Sequence, residues 1–340
     1  MLVSLSIETE GISASISMLP ITLITGPPGS GKSRLLSAIA SILSSIESDI
    51  RPLGFVGRVK MVIEAKPPDE LVGRFNELNI GPLGNRFEYI FEVDSGHITH
   101  VIKSNEATLM VVRGDGEHGQ LAQPITLNVS NPWKILSIDI VKPRDDAEVL
   151  LGRSGEVSEA LMRLVGFIRG SLGIGKVYVM GPYFSFEPFE KGLGPIAGVG
   201  KFGEGTVGAL AEAFTDPGKV NQVNVLRKAL AKLGIRGLKV GPLGGALRLV
   251  YRDARGWRVL EKPPCHLSTI LAVAAQLMYM NRGDVLVVEN LDYCMRRESW
   301  DVLVNVLQGL SKDKYIIAEV HNDELIKGVP TGNVFSILTL

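Results

Sequence analysis

Residues 21–36 read ITLITGPPGSGKSRLL. Ile21 to Thr25 predict a short buried strand. Gly26-Pro27-Pro28-Gly29-Ser30-Gly31-Lys32-Ser33 follows and satisfies G-x-x-x-x-G-K-[ST] at every fixed position. Glycines at these places let backbone N–H groups turn towards phosphate oxygens with no Cβ in the way. The positive end of the next helix adds to that anion site. In such a loop Lys32 reaches the β- and γ-phosphates, and the Ser33 hydroxyl ligates Mg2+. Leu35, Leu36, Ile39, Ile42, Leu43 and Ile46 recur at three- and four-residue steps, so a helix with one buried stripe is expected from about Lys32 to Glu47. Strand, loop and helix together predict a nucleotide site formed by Gly26 to Ser33 with the adjoining Arg34.

The composition around this motif excludes several classes. The chain has 340 residues, 45% hydrophobic and 21% charged, as in packed globular proteins. With 36 Lys+Arg against 36 Asp+Glu the net charge is zero, which argues against nucleic-acid binding by bulk charge and leaves a local basic face open. The two cysteines, Cys265 and Cys294, are too few for a disulfide framework or a four-ligand zinc site. MLVSLSIETE carries acids where a signal peptide needs a basic and then an apolar run. No window approaches the roughly 20 apolar residues of a membrane span. The expectation is a reduced, cytoplasmic protein without membrane contact.

Upstream of the loop, residues 3–9 and 12–18 alternate apolar and polar about Glu10-Gly11, which predicts a β-hairpin. Residues 55–140 read mostly as strands, with a hairpin turn at Asp94-Ser95-Gly96. A helix is expected over Glu156 to Arg169 and a strand at 176–180. Asp145-Asp146 and Glu148, beside Pro143, read as a solvated loop, and 181–205 as a Gly/Pro-rich loop. Helices are expected at 206–215 and 220–233, and strands at 237–240 and 246–251. Gly170 to Lys176 also fits G-x-x-x-x-G-K, but Val177 lacks the hydroxyl, and the segment follows a helix and precedes a strand. It reads as a helix stop. From Asn221 to Lys239 the chain carries Arg227, Lys228, Lys232, Arg236 and Lys239, which is either a solvated face or a contact to a nucleic-acid backbone.

The last block completes the chemistry. HLSTILAVAAQLMYMN reads as a helix opened by Ser268 as N-cap. Val285 to Val288 form an apolar strand that ends in Glu289, an acid placed to hold Mg2+ through water. Asn290 and Asp292 follow, and Asp292 and Glu289 are the acids near enough to orient or deprotonate water. His321 ends the next strand, Tyr315 to Val320. Parallel strands deliver their C-terminal ends to one edge of a sheet, so His321 is a candidate γ-phosphate sensor.

The order of these pieces resembles the ABC-type ATPase superfamily, in particular its RecF/OLD-like branch. There a β-hairpin leads into the phosphate loop, and a variable middle is followed by a signature helix, an acidic strand and a switch histidine. The matching parts here are residues 2–18, Gly26–Ser33, Leu267-Ser268, Val285–Glu289 and His321. The resemblance implies an α/β P-loop NTPase with an ABC-ATPase-like head, built from residues 1–60 and 263–340. A mixed insertion at 61–262, β-rich and then helical, would pack on it. It implies ATP and Mg2+ as cofactors and a head-to-tail, ATP-dependent homodimer in which Ser268 meets the partner's γ-phosphate. It also implies a role in DNA repair, genome defence or another nucleic-acid transaction, with a nuclease or other protein supplied in trans. The SMC branch is set aside because the middle holds strands, Gly and Pro rather than coiled-coil arms. OLD nucleases are set aside because the chain ends soon after His321.

Three departures bear on activity. Thr269 stands where the signature has a glycine, Asn290 stands where the superfamily carries its catalytic glutamate, and no glutamine fits a Q-loop. An Asn positions water but takes no proton, so hydrolysis is slow or Asp292 or Glu289 substitutes. Two other readings stay open: an ATP-gated dimerising clamp, and the ATPase subunit of a membrane transporter.

Overall fold

The computed structural model describes residues 1–52, 54–115, 118–124, 127–141, 154–185, 189–190, 198–330, 332 and 334–340. The acidic run Asp145, Asp146 and Glu148 lies outside these residues, as does part of the 181–205 loop. The chain divides into two compact units. One comprises Met1–Met18 and Ser37–Ile174, the other Leu19–Leu36 and Gly175–Leu340.

The first unit is organised by one antiparallel sheet. Its strands are β1 (Leu2–Thr9), β2 (Ile12–Ser17), β4 (Gly57–Glu64), β5 (Arg86–Asp94), β6 (His97–Ser104), β7 (Ala107–Asp115), β8 (His118–Gln123), β9 (Leu127–Ser130) and β10 (Asp139–Val141). They run in the order β10-β9-β8-β7-β6-β5-β4-β1-β2. Alternation decides which face is covered. Val59, Met61 and Ile63 of β4 are buried, as are Phe87, Tyr89, Phe91 and Val93 of β5 and Ile98, His100 and Ile102 of β6. Two helices complete the unit, α2 (Asp69–Glu77) and α3 (Ser154–Leu172), and α3 buries Leu161, Leu164, Val165 and Ile168. Phe167 of α3 meets Phe87 edge-on, with ring centroids 5.7 Å apart. The polar member of this core is His100. Its Nε2 donates to Pro132 O at 2.5 Å and its Nδ1 accepts from the Tyr89 hydroxyl at 2.7 Å, the one tautomer that satisfies both partners.

The second unit holds a five-stranded, all-parallel sheet in the order β11-β16-β17-β3-β18. Its strands are β11 (Val177–Met180), β16 (Val285–Val288), β17 (Tyr315–Glu319), β3 (Ile21–Thr25) and β18 (Phe335–Thr339). Such strands are covered on both faces, which is why they read as unbroken apolar runs rather than alternating ones. The helices are α4 (Thr206–Thr215), α5 (Val220–Ala231), α6 (Cys265–Tyr279), α7 (Arg297–Leu310) and the short α8 (Asp323–Ile326). Every residue of α6 from Leu267 to Met278 is buried, and α6 packs against α4 and α7. A small sheet adds β12 (Phe189–Glu190), β13 (Arg236–Leu243), β14 (Ala246–Asp253) and β15 (Gly256–Val259). α1 (Lys32–Ser48) starts in this unit and continues in the first.

The unit boundaries differ from those expected at residues 60/61 and 262/263. The N-terminal hairpin belongs with the β-rich middle because β1 hydrogen-bonds to both β2 and β4, with Leu5 opposite Ile16 on one side and Met61 on the other. Residues after 175 belong with the phosphate loop because β11 pairs with β16, Val177 opposite Val285. Gly170 to Lys176 is a helix end, with α3 stopping at Leu172 and Gly173 at φ +66°. The basic stretch is not one helix: α5 stops at Ala231, and Arg236 and Lys239 lie on β13. Arg227 is turned inward, its Nε donating to Leu238 O at 3.0 Å and its guanidinium 5.1 Å from the Phe214 ring centroid. Among the described residues no helix is long and apolar enough to cross a membrane.

Candidate nucleotide site

β3 is buried along its whole length between β17 and β18, and the chain leaves its C-terminal end directly into the loop Gly26 to Gly31. In open parallel sheets this is the edge where ligands bind. Gly26, Gly29 and Gly31 take φ of +147°, +83° and +93°, backbone conformations that L side chains rarely adopt. At Gly26 a Cβ would also lie 2.9 Å from Ser30 Oγ, so the loop closes only on a glycine. Pro27, Pro28 and Gly29 are exposed at its tip. Lys32 opens α1 and is only 4% exposed. Its ammonium folds back over the loop and donates to Gly26 O at 2.8 Å and Pro27 O at 3.0 Å. Two carbonyls compensate a buried cation poorly, and phosphate oxygens would do so better. Ser30 Oγ is buried and has no hydrogen-bond partner. Arg34 is exposed on the first turn of α1.

Ser33 shows the arrangement that was not expected. Its hydroxyl donates to Glu319 Oε1 at 2.9 Å and lies 3.1 Å from Oε2. Glu319 is the last residue of β17 and is 2% exposed. His321 stands two residues on, with Nε2 3.2 Å from Glu319 Oε1 and Nδ1 3.7 Å from Asp292 Oδ1. Asp292 braces this turn: its Oδ2 accepts from the amides of His321 at 3.0 Å and Asn322 at 2.8 Å, while Oδ1 is buried without a hydrogen-bond partner. The structure therefore brings Lys32, Ser33, Glu319, His321 and Asp292 together at one edge of the sheet.

Other expected residues stand apart from this group. Glu289 follows β16, and β17 lies between β16 and β3, so Glu289 is one strand further from the loop than Glu319. It is partly buried, and its carboxylate makes no hydrogen bond or ion pair with a described residue. Asn290 takes φ +56°, a left-handed turn that Asn tolerates, and its Nδ2 donates to Pro182 O at 3.3 Å. Asp292 is a brace rather than a free base, because one of its oxygens already holds two backbone amides. Ser268 is not an N-cap: α6 starts three residues earlier, with Pro264 as its cap, and Ser268 is 4% exposed. A side chain buried in that first turn is not presented to a partner's phosphate. The two cysteines are not reduced, since Cys265 and Cys294 form a disulfide. It ties the first residue of α6 to the segment just after Asp292 and closes a loop across a sequence separation of 29 residues.

The donor set fits a hard divalent cation. Ser33 and Glu319 supply oxygen ligands. Among the described residues no group of three or more His, Cys, Asp or Glu side chains could hold a metal ion by itself. This suits Mg2+, which binds through one or two protein oxygens together with substrate phosphates and waters. Sequence reasoning missed Glu319. The available signal was a single carboxylate inside the apolar run Tyr315 to Val320, where an acid is tolerated only if something compensates it.

No protein-family model matches the chain, and no curated protein matches it. Among solved structures it is similar to an SMC head domain from Thermotoga maritima, with 14% identity, a TM-score of 0.40 and coverage of 96% of this chain and 91% of that one. It is similar to an SmcHead bound to the C-winged helix domain of ScpA, with 13% identity, a TM-score of 0.42 and coverage of 96% and 92%. A third is an Smc head domain with an extended coiled coil bound to the C-terminal domain of ScpA, derived from Pyrococcus furiosus, with 12% identity, a TM-score of 0.39 and coverage of 96% and 91%. All three are heads of the branch set aside on sequence for want of coiled-coil arms, and none supports the RecF/OLD-like placement. Identities and scores this low assign no residue roles, which rest on the geometry above.

Proposed function

We propose that this chain binds ATP with Mg2+ at Gly26–Ser33 and hydrolyses it slowly, as the head of a P-loop ATPase whose motif order is RecF/OLD-like. The observation that carries the reading is the loop itself: a complete phosphate motif at the C-terminal edge of a parallel sheet, with a buried lysine folded onto loop carbonyls. When phosphate enters, Lys32 exchanges Gly26 O and Pro27 O for β- and γ-oxygens, and the amides of the glycine turn meet the same charge. Bound Mg2+ would neutralise charge on those oxygens and be held by Ser33 together with a neighbouring carboxylate. His321 stands where it can report the γ-phosphate to Asp292 and the turn that Asp292 braces.

Water must attack in line, and the chain supplies few groups to take its proton. Asn290 orients water without accepting a proton, and Asp292 is committed to two amides. Glu289 is the acid left without a partner, so it is the base in this reading. A weakly activated water implies low turnover. Asn290 also favours a second reading, an ATP-gated clamp that binds and dimerises without hydrolysis. We place the protein in the cytoplasm, acting as an ATP-dependent homodimer on DNA, with a nuclease or other protein in trans. Exposed Lys228 and Lys232 remain for backbone contact, while Arg227 does not.

Steady-state phosphate release, measured with and without single- and double-stranded DNA, separates these readings. The ATPase reading expects slow release, abolished in Glu289→Gln and stimulated by DNA. Tight ATP binding with no release above background identifies the clamp. Release unaffected by DNA removes DNA as the partner.

A further inference from the structure

We infer that Glu319, and not Glu289, is the carboxylate that holds the catalytic cation of this site. The inference rests on the ATP reading above and names a residue which that reading leaves open. Three observations meet at Glu319. First, register: Glu319 lies opposite Ile24 of β3, two residues before the loop begins, on the strand next to β3. Val288 lies opposite Ala318, so Glu289 falls level with Glu319 but one strand further away, about 4.8 Å more in the hydrogen-bonding direction. Second, the ligand hydroxyl is already there. Ser33 Oγ, the loop atom suited to Mg2+, donates to Glu319 at 2.9 Å. Third, charge: Glu319 is 2% exposed, and its partners are one hydroxyl and His321, with no lysine or arginine paired to it. A buried carboxylate so lightly compensated is held at an electrostatic cost that a divalent cation would remove. Asp292 Oδ1, buried and unpartnered on the other side of His321, adds to the same deficit of positive charge.

The unliganded arrangement is then a stand-in. Glu319 occupies Ser33 through its hydroxyl hydrogen. When the cation arrives with ATP, the Ser33 oxygen turns its lone pair to the metal, and Glu319 takes the metal or one of its waters. His321, within reach of the same carboxylate, is drawn into the cation's hydrogen-bond shell.

The test is binding, not turnover. A fluorescent ATP analogue is titrated onto the full-length chain in EDTA and at graded Mg2+. Loss of a supporting carboxylate typically costs about 10–100-fold in metal affinity. Glu319→Gln should therefore raise the Mg2+ concentration for half-maximal binding by at least about tenfold, with affinity in EDTA unchanged or a few-fold tighter. Glu289→Gln should shift the Mg2+ midpoint by less than about threefold. Glu319→Asp, which keeps the charge and shortens the reach, gives an intermediate shift and stands in if the glutamine variant does not fold. A wild-type Mg2+ midpoint in the Glu319 variants, or the tenfold shift appearing in Glu289→Gln instead, overturns the assignment and leaves the ATP site intact. Failure of the wild-type chain to bind the analogue under any condition overturns both.

Discussion

Lys32→Ala lowers ATP affinity about a hundredfold or more, while the melting temperature stays near that of the parent. The lysine supplies the one full positive charge that the phosphate loop itself carries, and a hydrogen bond to a charged group is worth about 1.5–3 kcal/mol. Two such bonds to phosphate, less the two carbonyl bonds given up, leave about 3 kcal/mol, which is roughly a hundredfold in Kd. Stability is little affected because the ammonium bonds only to Gly26 O and Pro27 O, both on the loop that ATP would reorganise. Titration calorimetry of the two proteins against ATP with Mg2+ checks this. Equal affinities would mean that the loop is not the phosphate site.

The second large effect belongs to the antiparallel sheet of the first unit. Burial lowers the pKa of His100 from 6.5 to about 4, against the opposing pull of its bond to Pro132 O. The fold therefore holds the ring neutral. Above pH 6.5 neither folded nor unfolded His100 is charged, and its contribution to stability is fully present. As pH falls from 6.5 towards 4 the unfolded chain binds a proton that the folded chain refuses, so stability declines, by about 3 kcal/mol at the lower end. A wild-type chain should thus lose stability steeply between pH 7 and pH 4.5 in denaturant melts. His100→Gln, which still offers a donor to Pro132 O and an acceptor to Tyr89, should be less stable at neutral pH yet show a shallower decline. An equal slope in the variant would put the titrating group elsewhere.

Much of the local structure was legible because each segment obeys one period. The hairpin at residues 2–17 alternates, Ile21 to Thr25 and Val285 to Val288 are unbroken apolar runs, and α1 carries a three–four stripe. The phosphate loop was legible because its glycines and lysine have no substitute in that geometry. Spatial order was not. Nothing in the run Tyr315 to Val320 says that it lies between β3 and β16, and that single fact moves the critical carboxylate from Glu289 to Glu319. The start of α6 was misplaced for a related reason: Ser268 has the chemistry of an N-cap, but Pro264 fixes the backbone three residues before α6 would open under that reading, and the bond from Cys265 to Cys294 anchors the first turn. Two cysteines separated by 29 residues carry no local signal of pairing. The unit boundaries were hidden because β1 takes its second partner, β4, from beyond α1, a long-range pairing that periodicity does not encode.

Hydrogen–deuterium exchange of the wild-type chain, with and without saturating ATP and Mg2+, tests the central claim most directly, because it reports where ATP binds as well as whether it does. Binding at the loop predicts strong protection of Gly26–Leu36, where amides of the glycine turn and of the first turn of α1 close on phosphate. Weaker protection is predicted over Ile317–Asn322, which carries Glu319 and His321. Unchanged exchange across Gly26–Leu36 at an ATP concentration that saturates the protein would contradict the account.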